Sequence, residues 1–247
     1  MTAARRRRWL ILSHAYNVDG RAESLTITDK IPHLQAAGID CVVLSSVMGE
    51  PDASVEHRRL LPWGPAGIRF DLRHSLQRRW GRDVRYRVAM FVVSVLLAPF
   101  IALERLLLGW RSQWSWALPA AWHARRLVKR GEVELVYSTG GVFSAHLAGH
   151  WTKRLTGCRW IAEVHDPLVV PGGAPRNRHE QLLARIEAHL CEHADHAWWS
   201  VSASHPVLGQ QPDHLVPVHH APRAIHHQAT VAVAVEGDAQ LGAPRHD

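Results

Sequence analysis

Paired cysteines are missing from this chain of 247 residues. Cys41, Cys158 and Cys191 are scattered and no C-x-x-C occurs. That excludes a disulfide framework and fits a reducing compartment. No G-x-x-x-x-G-K-[ST] loop, no G-x-G-x-x-G fingerprint and no H-E-x-x-H motif is present. A Walker-type phosphate loop, a dinucleotide fingerprint and the zincin arrangement are therefore absent. The start is basic, MTAARRRR, but the apolar run after it, Trp9 to Leu12, is far shorter than a signal-peptide core. The arginines at 5–8 are expected to be a solvated lead-in to a first strand.

The apolar share is 47%, enough for a core, and the length suits one large or two small domains. Lys and Arg number 29 against 22 Asp and Glu, a formal charge of +7. Such a surface favours anionic partners, either nucleotides, nucleic acid or an anionic membrane face. No zinc finger or RNA-binding aromatic motif appears, so nucleic acid is set aside.

WLILS (9–13) reads as a buried parallel strand, SLTITDKIPHLQAAG (24–38) as a helix containing Pro32, and DCVVLSS (40–46) as a second buried strand. Together they form a βαβ unit, the opening of an α/β, Rossmann-like doubly wound parallel sheet. Residues 49–86 read as irregular. VAMFVVSVLLAPFIAL (88–103) is uncharged, carries Pro99 and is followed by Trp110, Trp114, Trp116 and Trp122. A buried core helix, a helix touching a membrane surface and a true span compete for it, and the surface reading is preferred. Further on come a helix at 122–131, a strand at 133–138, a turn into a helix at 138–155, a strand at 159–164, an amphipathic helix at 177–194 and a strand at 196–204. Residues 205–247, rich in His, Pro, Ala and Gln, show no sustained period except TVAVAVE (230–236). That tail is expected to be the product of a shifted reading frame or a short degenerate end.

Several segments carry chemistry. STGGVFSAH puts a flexible turn at a helix N-terminus, which suits either a phosphate or an ordinary strand-to-helix connection. The loop HAYNVDGRAES (14–24) offers Gly20 and Arg21 to an acidic ligand, or is a plain surface loop. His165 and Asp166 end the strand RWIAEV at the edge where α/β sheets bind ligands. There His165 can hydrogen-bond or carry a proton, while Asp166 either orients it or makes an Asp-Pro turn. In EAHLCEHADH, His189 and His193 share a helix face with Cys191, Glu192 and His196 nearby, but no metal is expected.

The run ELVYSTGGVFSAHLAGHWTKRLTGCRWIAEVHDPL (134–168) resembles the N-terminal domain of the family-four retaining glycosyltransferases, which have the GT-B fold. WLILSHAYNVDGRAES resembles the first strand and glycine-bearing loop of the same family, although a single Gly20, preceded by Asp19, stands where two adjacent glycines are common. The likeness covers residues 9 to about 203, with a loose insert near 49–121.

The resemblance implies one half of a GT-B architecture, 1–204, facing a second Rossmann-like domain that binds most of the nucleotide-sugar through a paired-glutamate motif. No such helix follows residue 204. A separate C-terminal donor-binding chain is the expected completion, and the chain alone is expected to be weakly active or inactive. By the resemblance His165 and Asp166 would be catalytic, with His165 beside the transferred sugar. His14, Asp19, Gly20, Arg21, Ser138, Thr139, Gly140, Gly141 and Ser144 would bind substrate. The donor would be a nucleotide-sugar, the acceptor a cell-surface glycan or lipid-linked sugar, and no metal cofactor would be needed. The expected location is the cytoplasmic face of the plasma membrane, touched through about 88–110. The alternative is a non-catalytic, membrane-associated Rossmann-like binding module.

Overall fold

The structure is a computed structural model describing residues 7–108, 112–141, 143–165 and 178–199. Asp166, Trp110, the 200–204 continuation and the 205–247 tail with its 230–236 run lie outside these residues.

Six strands form one sheet: β1 (Arg7–Leu12), β2 (Ile39–Ser46), β3 (Glu56–Leu60), β4 (Leu135–Gly140), β5 (Arg159–Val164) and β6 (His196–Trp199). All pairings are parallel and the order is β3-β2-β1-β4-β5-β6. This is the Rossmann order, so the α/β doubly wound expectation holds. Alternation along each strand divides the core in two. Trp9, Ile11, Cys41, Val43, Leu135, Tyr137 and Ile161 pack with Ile27, Ile31 and Leu34 of α1 (Ala22–Ala36). Leu10, Leu12, Val42, Leu44, Val136, Trp160 and Ala162 face the other way. They meet α4 (Ala117–Lys129), α5 (Phe143–Thr156) and Leu190 of α6 (Arg178–His193). Small residues on the inner face of α5 let it lie close to the sheet. A Cβ on Gly149 would stand 2.2 Å from the Trp160 indole nitrogen.

The segment 49–121 is not a loose insert. Glu56–Leu60 is an edge strand of the sheet, and α2 (Pro65–Trp80) follows it. Edge position explains why EHRRL carries so much charge: only Leu60 is buried. Arg7 and Arg8 belong to β1 rather than to a solvated lead-in, and Arg8 ion-pairs with Glu56.

The apolar segment forms α3 (Val84–Leu108), longer than the run that announced it, with Pro99 inside it. It packs along α2 and leaves most of its surface exposed, so it is not a core helix. Its anchor is Glu104. This buried carboxylate accepts from Ala66 N (2.9 Å) in the first turn of α2 and from Trp114 Nε1 (3.0 Å). A carboxylate at a helix N-terminus satisfies an orphan donor and opposes the dipole, together about 1–2 kcal/mol. Gly64 has to be small here, since a Cβ would meet Ser115 Cβ at 2.6 Å and Glu104 Oε1 at 2.9 Å. Trp116 is fully buried rather than interfacial, while Trp122 is half-exposed under Arg126.

Candidate functional site

Helix α1 lies on one face of the sheet and α4, α5 and α6 on the other, so the winding reverses between β1 and β4. The crevice outside the strand ends at such a switch point is where open α/β sheets bind ligands. Leu12 pairs with Ser138, which brings the loop after β1 and the turn after β4 side by side on that edge.

On the α1 face, alternate residues of β4 and β5 build a polar chain. Thr139 Oγ1 donates to Glu163 Oε2 at 2.8 Å and lies 3.0 Å from His165 Nε2. With its one proton committed to Glu163, the threonine accepts from the imidazole, so the tautomer at His165 is the Nε2–H form. Nε2 is also 3.5 Å from Glu163 Oε2. Tyr137 donates to the same Glu163 oxygen, and Lys30 of α1 ion-pairs with Oε1. Burial pushes the Glu163 carboxyl up, but His165, Lys30 and Tyr137 outweigh it and hold the group well below the usual range. Burial, then the neighbouring Glu163 charge, pushes the Tyr137 phenol well up. The result is a charged, fully partnered carboxylate that fixes the His165 ring, through Nε2, at the lip of β5.

On the α5 face a second chain sets the turn. Trp160 Nε1 donates to Ser138 Oγ (2.8 Å), which lies 2.9 Å from His146 Nδ1, and His146 Nε2 lies 3.0 Å from the Gly140 carbonyl. Hydrogen bonding is consistent if Nε2 carries the proton. The His146 pKa falls to about 4, chiefly through burial, so the ring is neutral at pH 7. The Gly140 carbonyl also accepts from His165 N at 3.3 Å, which ties the β4 turn to the end of β5. Gly140 has φ 126°, a conformation that favours glycine.

The remaining sequence-based site residues are distributed as follows. Ser138 and Thr139 are buried in the two chains and Gly141 is half-buried at the turn. Ser144 is buried, its hydroxyl without a hydrogen-bond partner. Asp19 and Gly20 are exposed and Arg21 half-buried beside the start of α1. Gly20 has φ 69° and open space where a Cβ would be. His14 is enclosed, its ring 5.3 Å from Trp116 in an edge contact and Nε2 3.5 Å from Asp71 Oδ1. A small apolar recess of about 10 Å³ lies between Gly141, His146, Ala162 and Val164 and the Leu190 side of α6.

Lys30, Tyr137, Glu163, His146 and Asp71 were missed by sequence reasoning. Glu163 did leave a signal, because a carboxylate inside a strand otherwise buried must have partners. The His150, His189 and His193 rings gather at the α5–α6 contact, with centroids 4.0–5.3 Å apart. Among the described residues no three His, Cys, Asp or Glu side chains are arranged to hold a metal ion.

No protein-family model and no curated protein matches the sequence. Among solved structures, MurG of Acinetobacter baumannii matches over 79% of this chain and 42% of its own, at 15% sequence identity and a TM-score of 0.39. The chain thus spans less than half the length of that neighbour. What the strand order and helix placement define is an α/β Rossmann-like domain with its polar chains at the switch-point edge.

Proposed function

We propose that this chain is the acceptor-side half of a retaining glycosyltransferase that moves a sugar from a nucleotide-sugar to a cell-surface glycan or lipid-linked acceptor. The observation that carries the reading is the arrangement of His165. Its Nε2–H is committed to Thr139 and the ionised Glu163, at the ligand-binding edge of a Rossmann-ordered sheet. A ring held that way offers Nδ1 as an acceptor to a sugar hydroxyl, and the nearby carboxylate favours positive charge developing at the anomeric carbon. The resemblance of residues 134–168 to the family-four glycosyltransferases supports the same role. In this reading the loop at Asp19, Gly20 and Arg21 and the turn at Gly140 and Gly141 face the donor phosphates. A second Rossmann-like domain, in the same or another polypeptide, supplies most donor affinity. The work is done at the cytoplasmic face of the plasma membrane, without a metal cofactor.

The test is nucleoside diphosphate release from a panel of nucleotide-sugars, with membrane lipid extract and the domain that completes the cleft. Acceptor-stimulated release is expected, falling ~10²-fold or more in His165→Ala while the far-UV circular dichroism is unchanged. Full activity in that variant would make His165 structural and remove the centre of the reading. No release under any condition would favour a non-catalytic binding module.

A further inference from the structure

We propose that α2 and α3 form a monotopic anchor in the surface of an anionic bilayer, and that α3 does not cross it. By itself α3 is long enough to cross. Its 25 residues extend roughly 37 Å, and its mean hydropathy reaches 2.1. The sheet forbids a single crossing. Leu12 of β1 pairs with Leu44, which precedes α3, and with Ser138, which follows it. Both ends of α3 therefore lie on one side of any membrane. A return crossing would need a second apolar helix, and among the described residues α3 is alone in having that length and composition. Its neighbour α2 carries Arg69, Arg73, Arg78 and Arg79.

The surface of α3 suits an in-plane position. Met90 and Glu104 are buried in the stripe that meets α2, and Ser94 accepts from Arg69 Nε at 2.9 Å. The rest stands in solvent: Val88, Phe91, Val95, Leu96, Phe100 and Leu103 are each more than half exposed. A contiguous apolar surface of this extent marks a contact site. Charge identifies the contact. Arg79, Arg82, Arg85 and Arg87 are all exposed around the α2–α3 corner. Asp83, the carboxylate among them, caps Tyr86 N at 2.9 Å. At the other end Arg105 is exposed. An apolar face bounded by arginines matches anionic headgroups above acyl chains. Pairing two copies along α3, in either direction, would bring arginine against arginine.

The anchor lies at the edge of the candidate site. Asp71 of α2 faces His14 beyond the end of β1, and Arg78 donates to the Met48 carbonyl beyond the end of β2. A bilayer held there would present a lipid-linked acceptor toward the His165 edge, a consequence that rests on the glycosyltransferase reading. The anchor itself does not, and vesicle binding tests it without turnover.

The experiment is flotation of the full chain with phosphatidylcholine vesicles, with and without phosphatidylglycerol. Binding is expected to rise ~10-fold or more with the anionic lipid and to lose that gain in Arg79→Glu/Arg82→Glu/Arg85→Glu. Phe91→Ser/Leu96→Ser should lower binding to both. Separate Arg82→Cys and Arg105→Cys variants should both react with an impermeant maleimide added outside the vesicles, above the wild-type background. Protection of one cysteine until detergent is added would overturn the in-plane placement. Equal binding with and without the anionic lipid would overturn the choice of partner. No vesicle binding, with a dimer that Phe91→Ser/Leu96→Ser dissociates, would assign the face to a second copy.

Discussion

His14 Nε2 and Asp71 Oδ1 stand 3.5 Å apart with both side chains shut off from water. Burial, with Arg21 and His74 adding, lowers the His14 pKa to about 3. Burial raises that of Asp71 to about 8, against Ser46 and Arg21. Burial thus favours the uncharged form of both groups, and neither imidazole nitrogen is hydrogen-bonded.

The two groups act on stability in opposite directions. Asp71 binds its proton more tightly folded than unfolded, so its contribution is complete below about pH 4 and is lost as pH rises toward 8. His14 is the reverse: its contribution is present above about pH 6.5 and is lost as pH falls toward 3. Asp71→Asn should leave stability at pH 4 nearly unchanged and raise the Tm at pH 9 relative to wild type. Thermal melts at the two pH values check this, and equal shifts at both would count against it.

Glu163 carries the opposite sign from Asp71. Its pKa is depressed when folded, so its stabilisation is present above the ordinary carboxylate pKa and disappears as acid is added below it. Replacing it leaves Lys30 without its partner over the sheet. Glu163→Gln should cost about 3–5 kcal/mol at pH 7 and flatten the acid limb of the stability profile. Urea titrations at pH 7 and pH 3 measure both.

Gly149→Ala tests packing against propensity. In an exposed helix the change would add about 1 kcal/mol. Here the new methyl would meet Trp160 Nε1, whose hydrogen bond to Ser138 fixes the indole in place. Overpacking should win, with a net loss of about 1–3 kcal/mol in a urea melt and a change in tryptophan emission. A gain in stability would mean that the indole moves easily and does not hold the β4 turn.

The strands at the centre of the sheet were legible because buried parallel strands read as apolar runs: WLIL, CVVL, LVY and WIA are such runs. β3 was not, because an edge strand pairs on one side and EHRRL buries only Leu60. Helix α2 was hidden for a related reason. PAGIRFDLRHSLQRRW has no apolar stripe, and its placement comes from Glu104 at its first turn and from α3 along its side. At the site, His165 stood out by its place at a strand end. Lys30 and Tyr137 did not, because only the tertiary fold brings α1 over β4 and β5 to reach Glu163.

The pairing of Leu12 with Ser138 also orders events during synthesis. At ribosomal speeds of about 5–20 residues per second, the inner edge of β1 waits on the order of ten seconds for β4 to emerge. The apolar α3 is made within that interval. A nascent chain therefore exposes an open strand edge and a bare hydrophobic helix together, and closure of the sheet centre is the step that removes the first of these hazards.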